Sequence, residues 1–435
     1  MKKLFMFLFF TVITFSQNIV TPEEAISIGL KNNFDILIAK NNNEIANNNE
    51  GKGTAGFLPT LDANGGYSFS SSDQTSNSPF SFGNSTTKGY EGRLSLNWTL
   101  FDGFKMFADN LRYKELSKLG DYQAKLIVEN TLVNILANYF NLVQQELLLA
   151  IAENSLKISE ERLEKAKIRN SLGGASSSDL LNAQVSFNND KSNKLDQELR
   201  TEIARKDLNI LLAQDPETNI KVIDKIDLPA FLKDYETLIE SAKEKNSSLL
   251  IAIKNKEISE SNITSTRANF YPRISLNANY GYSDREVNSD SQRFTSAVTT
   301  QSKDASVALN FSFNLFNGLR DNIDVENAII ESKIRNLQLS NEENRITGLV
   351  REKYITLQKR LEKISLEELN VTAAQQNLEL QKERYETGAV NSLEFRDAQI
   401  NLSRAQSDLV TAKFQARITI LEIQQLTGNI EIGDK

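Results

Sequence analysis

The sequence predicts a mixed fold in which long antiparallel coiled-coil helices are joined to transmembrane β-strands, with the plan written twice. Three observations carry the prediction. First, Phe57-Leu58-Pro59 returns as Phe270-Tyr271-Pro272 about 213 residues later, and Phe101-Asp102-Gly103 returns as Phe316-Asn317-Gly318 about 215 later. Tyr139 and Tyr354, Gly173 and Gly388, Ala183-Gln184 and Ala398-Gln399, and Leu211 and Leu426 keep the second spacing. Second, two stretches, about 80–215 and 273 to the end, lack proline and are rich in Leu, Ala, Glu, Lys, Gln and Asn, a helical composition. Third, four segments alternate apolar with small polar residues, the mark of a strand with two unlike faces.

The chain opens with Met1-Lys2-Lys3, an apolar run to Phe15 and the step Thr14-Phe15-Ser16. This reads as a signal peptide over residues 1–16. The run is shorter than the roughly 20 residues of a spanning helix, and no later apolar run is expected to approach that length. The first repeat then covers 17–215: a helix, a strand hairpin over about 58–101, and a long helix pair over about 103–213. Residues 216–231, with Pro216 and Pro229 in the joining stretch, form a linker. The second repeat covers 232–428, with its hairpin over about 271–316 and its helix pair over about 318–427, leaving a tail at 429–435.

Within the hairpins, Leu61, Ala63, Gly65, Tyr67 and Phe69 share one face, as do Leu94, Leu96, Trp98 and Leu100. Ile274, Leu276, Ala278, Tyr280 and Tyr282, and Val307, Leu309, Phe311, Phe313 and Leu315, repeat the pattern. Each strand is expected to run about 10–13 residues, enough to cross a bilayer core when tilted. Trp98, Tyr67, Tyr280 and Tyr282 fit an interfacial aromatic belt, and equally the ordinary preference of strands for aromatics. Ser71–Gly89 and Asp284–Lys303 read as polar loops, and the change of lag by two places an insertion there, where insertions are tolerated.

The first long helix is expected from about Gly103 to Asn170 and its repeat from about Gly318 to Thr387, each roughly 100 Å at about 1.5 Å per residue. Such helices must coil against neighbours. Leu402, Ala405, Leu409, Ala412, Ala416, Ile420 and Ile423 step by three and four, a heptad-like seam. That spacing serves a solid bundle and a hollow helical barrel equally.

Composition removes several functions. The chain has no cysteine and no histidine, so disulfides, thiolate metal sites, Ser-His-Asp chemistry and nearly every zinc site are excluded. No cofactor and no structural metal is predicted. A net charge of −7 argues against nucleic acid as a partner.

Open strands cannot stand in lipid, because each unpaired backbone group costs several kcal/mol. The four strands must therefore close with those of sister copies. Eight strands from two chains would be filled by side chains, whereas inward Ser, Asn and Gly suit a wider aqueous lumen and favour three chains. Both hairpins leave and re-enter helix on the same side, so an exported chain would keep its helices in the periplasm and form a conduit.

The turn Arg384-Tyr385-Glu386-Thr387-Gly388-Ala389-Val390-Asn391-Ser392-Leu393-Glu394-Phe395 is similar to the arginine-tyrosine-x-x-glycine turn of the TolC family of outer-membrane efflux proteins. The first copy, from Gly173-Gly174-Ala175-Ser176 to Ala183-Gln184, is a looser match. The resemblance covers essentially all of the mature sequence. It implies a homotrimer with a twelve-stranded barrel in outer-membrane lipid and a twelve-helix periplasmic tube. It implies an exit duct of a tripartite efflux or type I secretion system, without catalysis, served by a periplasmic adaptor (membrane fusion) protein and an inner-membrane transporter. By the same resemblance, Asp179, Glu394 and Asp397 match acidic positions at the periplasmic entrance, and Tyr385 matches a tyrosine of the closed gate. The chain departs at Val390, where the best-known member carries an arginine. Gly173, Gly174, Ser176, Gly388, Asn391 and Ser392 become candidates for an adaptor-docking tip. Plain helix capping accounts for several of the same residues: acidic side chains in a first turn contribute about 0.3–1 kcal/mol, and glycine ends helices at low cost.

Two other classes compete. A barrel-anchored coiled-coil structural or adhesive trimer would use similar parts, although a trimeric autotransporter keeps its strands together at the C-terminus. A carboxylate enzyme such as a glycoside hydrolase needs paired acids flanking a cleft, and no globular domain is expected to hold one.

Overall fold

Both halves of the chain fold into the same order of elements. A computed structural model describes residues 19–73, 84–172, 177–229, 234–289, 297–387 and 389–430. The first half contains β1 (Ile19–Val20), α1 (Pro22–Asn32), α2 (Phe34–Asn48), β2 (Thr60–Ser72), β3 (Ser85–Asp102), α3 (Lys105–Ser171) and α4 (Ser177–Leu211). The second contains β4 (Lys221–Val222), α5 (Tyr235–Lys245), α6 (Ser247–Arg267), β5 (Arg273–Ser289), β6 (Val298–Ser312), α7 (Arg320–Glu386) and α8 (Ser392–Leu426). The paired long helices have identical lengths, 67 residues for α3 and α7 and 35 for α4 and α8. The signal-peptide segment 1–16 lies outside the described residues.

The chain divides into two compact units. One contains residues 1–41, 123–250 and 342–435, the other residues 42–122 and 251–341.

The first unit holds the same apolar core twice. In one copy Ala25, Ile135, Leu142 and Leu208 are buried together. In the other, Leu238, Val350, Leu357 and Ile423 occupy the repeat-related places. The predicted seam is largely interior, with Leu402, Ala412, Ala416, Ile420 and Ile423 buried. One window of α3 is apolar enough to cross a membrane by composition, which corrects the expectation that no later run reaches that length. Half of that window is buried in the chain.

Each repeat opens with two short helices rather than the single one expected. The break falls at Asn33 and again at Asn246. Asn33 Oδ1 accepts from the amides of Asp35 and Ile36, and its Nδ2 donates to Leu211 O at 2.8 Å. Asn246 repeats the arrangement, with Oδ1 accepting from Leu249 N and Nδ2 donating to Leu426 O at 3.0 Å. One side chain thus starts a helix and satisfies an end carbonyl of a distant one.

The linker also differs from expectation. Lys221 and Val222 pair in parallel with Ile19 and Val20. Buried Tyr139 fastens this ribbon, donating to Val20 O at 2.8 Å and accepting from Ile223 N at 3.4 Å. Burial pushes its phenol up to about 12.

The second unit contains a four-stranded antiparallel sheet in the order β2-β3-β5-β6. The strands have 13, 18, 17 and 15 residues, most of them longer than predicted, because residues 85–89, 284–289 and 298–303 of the expected polar loops pair in register. One face carries the rows Leu61–Leu96–Ala278–Val307 and Ala63–Leu94–Tyr280–Ala305. The other carries Asp62–Ser95–Asn279–Ser306 and Asn64–Arg93–Gly281–Asp304. Leu61, Val307, Leu309 and Phe311 are 67–75 % exposed within the chain, a face suited to lipid rather than water. Ile274 to Tyr282 covers roughly 27 Å along the strand at about 3.4 Å per residue, of the order needed for an apolar band. Beyond it the same face turns charged, with Lys88 opposite Glu286 at 3.7 Å. Tyr67, Tyr280 and Tyr282 are exposed near this boundary, and Trp98 Nε1 donates to Phe57 O at 3.0 Å.

The repeated Phe-Asp/Asn-Gly motif has a backbone cause. Gly103 and Gly318 both have φ +72°, and Phe104 and Leu319 follow at +72° and +65°. At Gly103 a Cβ would also meet Ala268 O at 2.4 Å. Glycine takes this left-handed backbone at low cost where the strand turns into the long helix, and at Gly103 the close approach also excludes a side chain.

Candidate functional site at the helix turns

The turn between α7 and α8 is built from local hydrogen bonds. Thr387 N donates to Glu383 O at 3.1 Å and Ala389 N to Arg384 O at 2.8 Å, closing α7. Asn391 Oδ1 accepts from Leu393 N at 2.9 Å and Glu394 N at 3.0 Å, opening α8. Glu394 is exposed in that first turn, where it complements the helix dipole, and Asp397 is exposed one turn on. Asp179 occupies the matching exposed first-turn position of α4. Gly173, Gly174, Ser176 and Gly388 lie outside the described residues.

Tyr385 is placed in an apolar cluster. Its ring, 9 % exposed, stacks on Phe395 with centroids 5.4 Å apart and planes within 7°. Leu378, Ala398 and Leu402 complete the cluster and Val390 packs against it. The valine that departs from the family pattern therefore has an apolar packing role. Arg169 lies over Tyr385 at 5.2 Å and Arg162 over Phe395 at 5.7 Å, both within cation–π range.

Ser392 is held from across the helix pairs. Arg162 of α3 donates through Nη2 to Ser392 Oγ at 2.9 Å and to Ser392 O at 3.3 Å. Burial holds the Arg162 guanidinium below its ordinary value, partly countered by Tyr385 and Asp190. Lys165 and Glu386 add an exposed pair at 3.2 Å.

Further along, a buried link joins α4 to α8. Arg396 grips Asp190 through both guanidinium ends, at 2.6 and 2.7 Å. Gln399, 2 % exposed, donates to Ser155 O at 2.9 Å and reaches Asp190 Oδ2 at 3.5 Å. Ser155 and Ser403 share a hydrogen bond of 2.6 Å, and Gln144 donates to Thr411 at 3.3 Å. These contacts tie the first helix pair to the second.

Sequence reasoning found the exposed acids and the caps but missed Arg162, Asp190 and Arg396. The one available signal was the repeated Ala-Gln pair. Gln399 enters the link, whereas its counterpart Gln184 bonds along its own helix to Asn188 at 3.1 Å. The arrangement offers rings and latches rather than reacting groups. Among the described residues no group of three or more acidic side chains is placed to share a metal ion.

Comparison with known proteins agrees with this geometry. The profile of the family described as outer membrane efflux protein matches residues 25–214 and again 238–429, one match per repeat. The chain is 22 % identical over 386 residues to outer membrane protein TolC of Escherichia coli (strain K12), covering 87 % of this chain and 76 % of that protein. It superposes on the Campylobacter jejuni CmeC outer membrane channel with a TM-score of 0.79 at 17 % identity, covering 95 % of this chain and 87 % of that one. The open state of the Neisseria gonorrhoeae MtrE outer membrane channel gives 0.73 at 17 %, covering 94 % and 88 %.

Proposed function

We propose a working arrangement for this chain, which belongs to the outer membrane efflux protein family. It is an outer-membrane protein and the exit duct of an efflux system, in a family of transport channels rather than enzymes. The finer reading is that three copies close their sheets into one twelve-stranded barrel in outer-membrane lipid. The helices reach into the periplasm, where an adaptor protein and an inner-membrane transporter of an efflux or type I secretion system engage the tip. The observation that carries this is the four-stranded sheet with an exposed apolar face, whose edge strands β2 and β6 each pair on one side only among the described residues. In hydrocarbon such edges must be sealed.

Asp179, Glu394 and Asp397 are assigned to the entrance, where trimerisation would turn each into a ring of three and crowd like charges in a narrow mouth. Tyr385 supports the gate by packing α7 on α8. Asn391 and Ser392, at the exposed turn, are assigned to adaptor docking together with Gly173, Gly174, Ser176 and Gly388.

Single-channel conductance in planar bilayers tests the reading. The purified trimer should conduct, and multivalent cations should block it from one side. Replacing Glu394 and Asp397 with alanine should abolish that block. A stable monomer in detergent would overturn the barrel, and block that survives the double replacement would overturn the ring.

A further inference from the structure

The first unit contains a cavity of about 390 Å³ formed by α3, α7 and α8, to which the duct reading assigns no ligand. Its wall includes Arg162, 4 % exposed. Nη2 of this guanidinium is engaged by Ser392, but Nε and Nη1 are buried and meet no acceptor among the described residues. A buried cationic donor without an acceptor costs more than the roughly 1–3 kcal/mol of a neutral one. The contact with the Phe395 ring answers part of the charge but presents no oxygen to those nitrogens. Asp190, the acid nearest in effect, is gripped by Arg396.

The rest of the cavity is of two kinds. Ile158, Leu378, Tyr385, Phe395 and Leu402 supply apolar and aromatic wall. Exposed Lys157 and Lys382 stand at its rim. Of the acids there, Glu386 is paired with Lys165 and Glu379 accepts from Gln375 at 2.8 Å, and Glu161 is the third, against Lys157, Lys382 and Arg162 on the same wall. The balance is cationic, the depth apolar, and the volume that of a small-molecule site.

We propose that this cavity binds a small amphipathic carboxylate, its anionic head at Arg162 and its apolar body against Tyr385 and Phe395. Arginine suits the role because it stays charged and offers planar donors matched to a carboxylate. The lining does not include the acidic residues assigned to the entrance, so a duct that conducts without binding would sink this proposal alone.

The test uses the full-length protein in nanodiscs and ¹⁹F line broadening of 4-(trifluoromethyl)benzoate, with empty nanodiscs as reference. The neutral 4-(trifluoromethyl)benzyl alcohol is the control. The carboxylate should bind saturably and at least tenfold more tightly than the alcohol. Arg162→Gln should weaken it by tenfold or more, and Arg162→Lys by less. Because Arg162 is buried, Lys157→Gln and Lys382→Gln serve as rim variants that keep the core, and each should weaken binding about threefold. Equal binding of alcohol and acid, undiminished binding by Arg162→Gln in a folded trimer, rim variants indistinguishable from wild type, or no saturable binding would each overturn the assignment.

Discussion

Removing Arg396 is the sharpest test of how the two helix pairs are held. In the folded chain its guanidinium meets Asp190 at 2.6 and 2.7 Å, and the two side chains are 15 % and 6 % exposed. At an effective dielectric near 20 two charges about 4 Å apart attract by roughly 4 kcal/mol, and this closer pair by somewhat more. Desolvation costs several kcal/mol per ion, so the intact pair is close to neutral against an apolar replacement. Arg396→Ala is different, because it leaves the Asp190 carboxylate buried with Gln399, at 3.5 Å, as its one remaining side-chain donor among the described residues. Breaking one side of a buried pair costs about 3–5 kcal/mol. The adjoining cavity of about 330 Å³ lets water reach the orphaned acid, so the lower end, about 3 kcal/mol, is expected. Urea unfolding followed by far-ultraviolet circular dichroism measures the loss. A cycle with Asp190→Asn should return a coupling of about 1.5–3 kcal/mol. Asp190→Leu with Arg396→Met should recover most of the stability. A single-variant cost below about 1 kcal/mol, with coupling under about 0.5 kcal/mol, would refute the latch, since those are values of an exposed pair.

Three further outcomes are expected. Tyr139→Phe removes the donor to Val20 O and the acceptor for Ile223 N, and should cost about 1–3 kcal/mol; hydrogen exchange should show the β1–β4 ribbon losing protection first. Asn33→Ala and Asn246→Ala each remove a helix cap and orphan an end carbonyl, at about 1–3 kcal/mol, and their costs should agree within about 0.5 kcal/mol if the repeats are energetically equivalent, as paired urea midpoints would show. Burial raises the Glu129 carboxyl above its ordinary 4.5, against the opposing bond from Ser247 and the charge of Lys125. Between 4.5 and the raised value the folded state holds a proton the unfolded state has released, so stability falls as pH rises through that window; Glu129→Gln should flatten this slope in a pH series of melting temperatures and stabilise the protein at neutral pH.

The sequence alone determined what depends on local chemistry and on self-comparison. Helix ends expected at Gly103 and Asn170 fall at Lys105 and Ser171, because proline absence, composition and the strand-to-helix glycine act within a few residues. The two faces of the strands were legible for the same reason: alternation is local, and register only chooses which alternating rows meet. The capping role of Asn391 was legible too, since a cap reaches three residues along the chain. Tertiary structure decided whatever needed partners far apart in sequence. Nothing near Asp190 announces Arg396, nothing near Ile19 announces Lys221, and nothing near Asn33 announces the Leu211 carbonyl its amide holds. Burial has the same origin: Tyr385 and Arg162 look like surface residues of long polar helices until α8 packs over them, and it is that packing which turns a ring into core and leaves two nitrogens of a cation without an acceptor among the described residues.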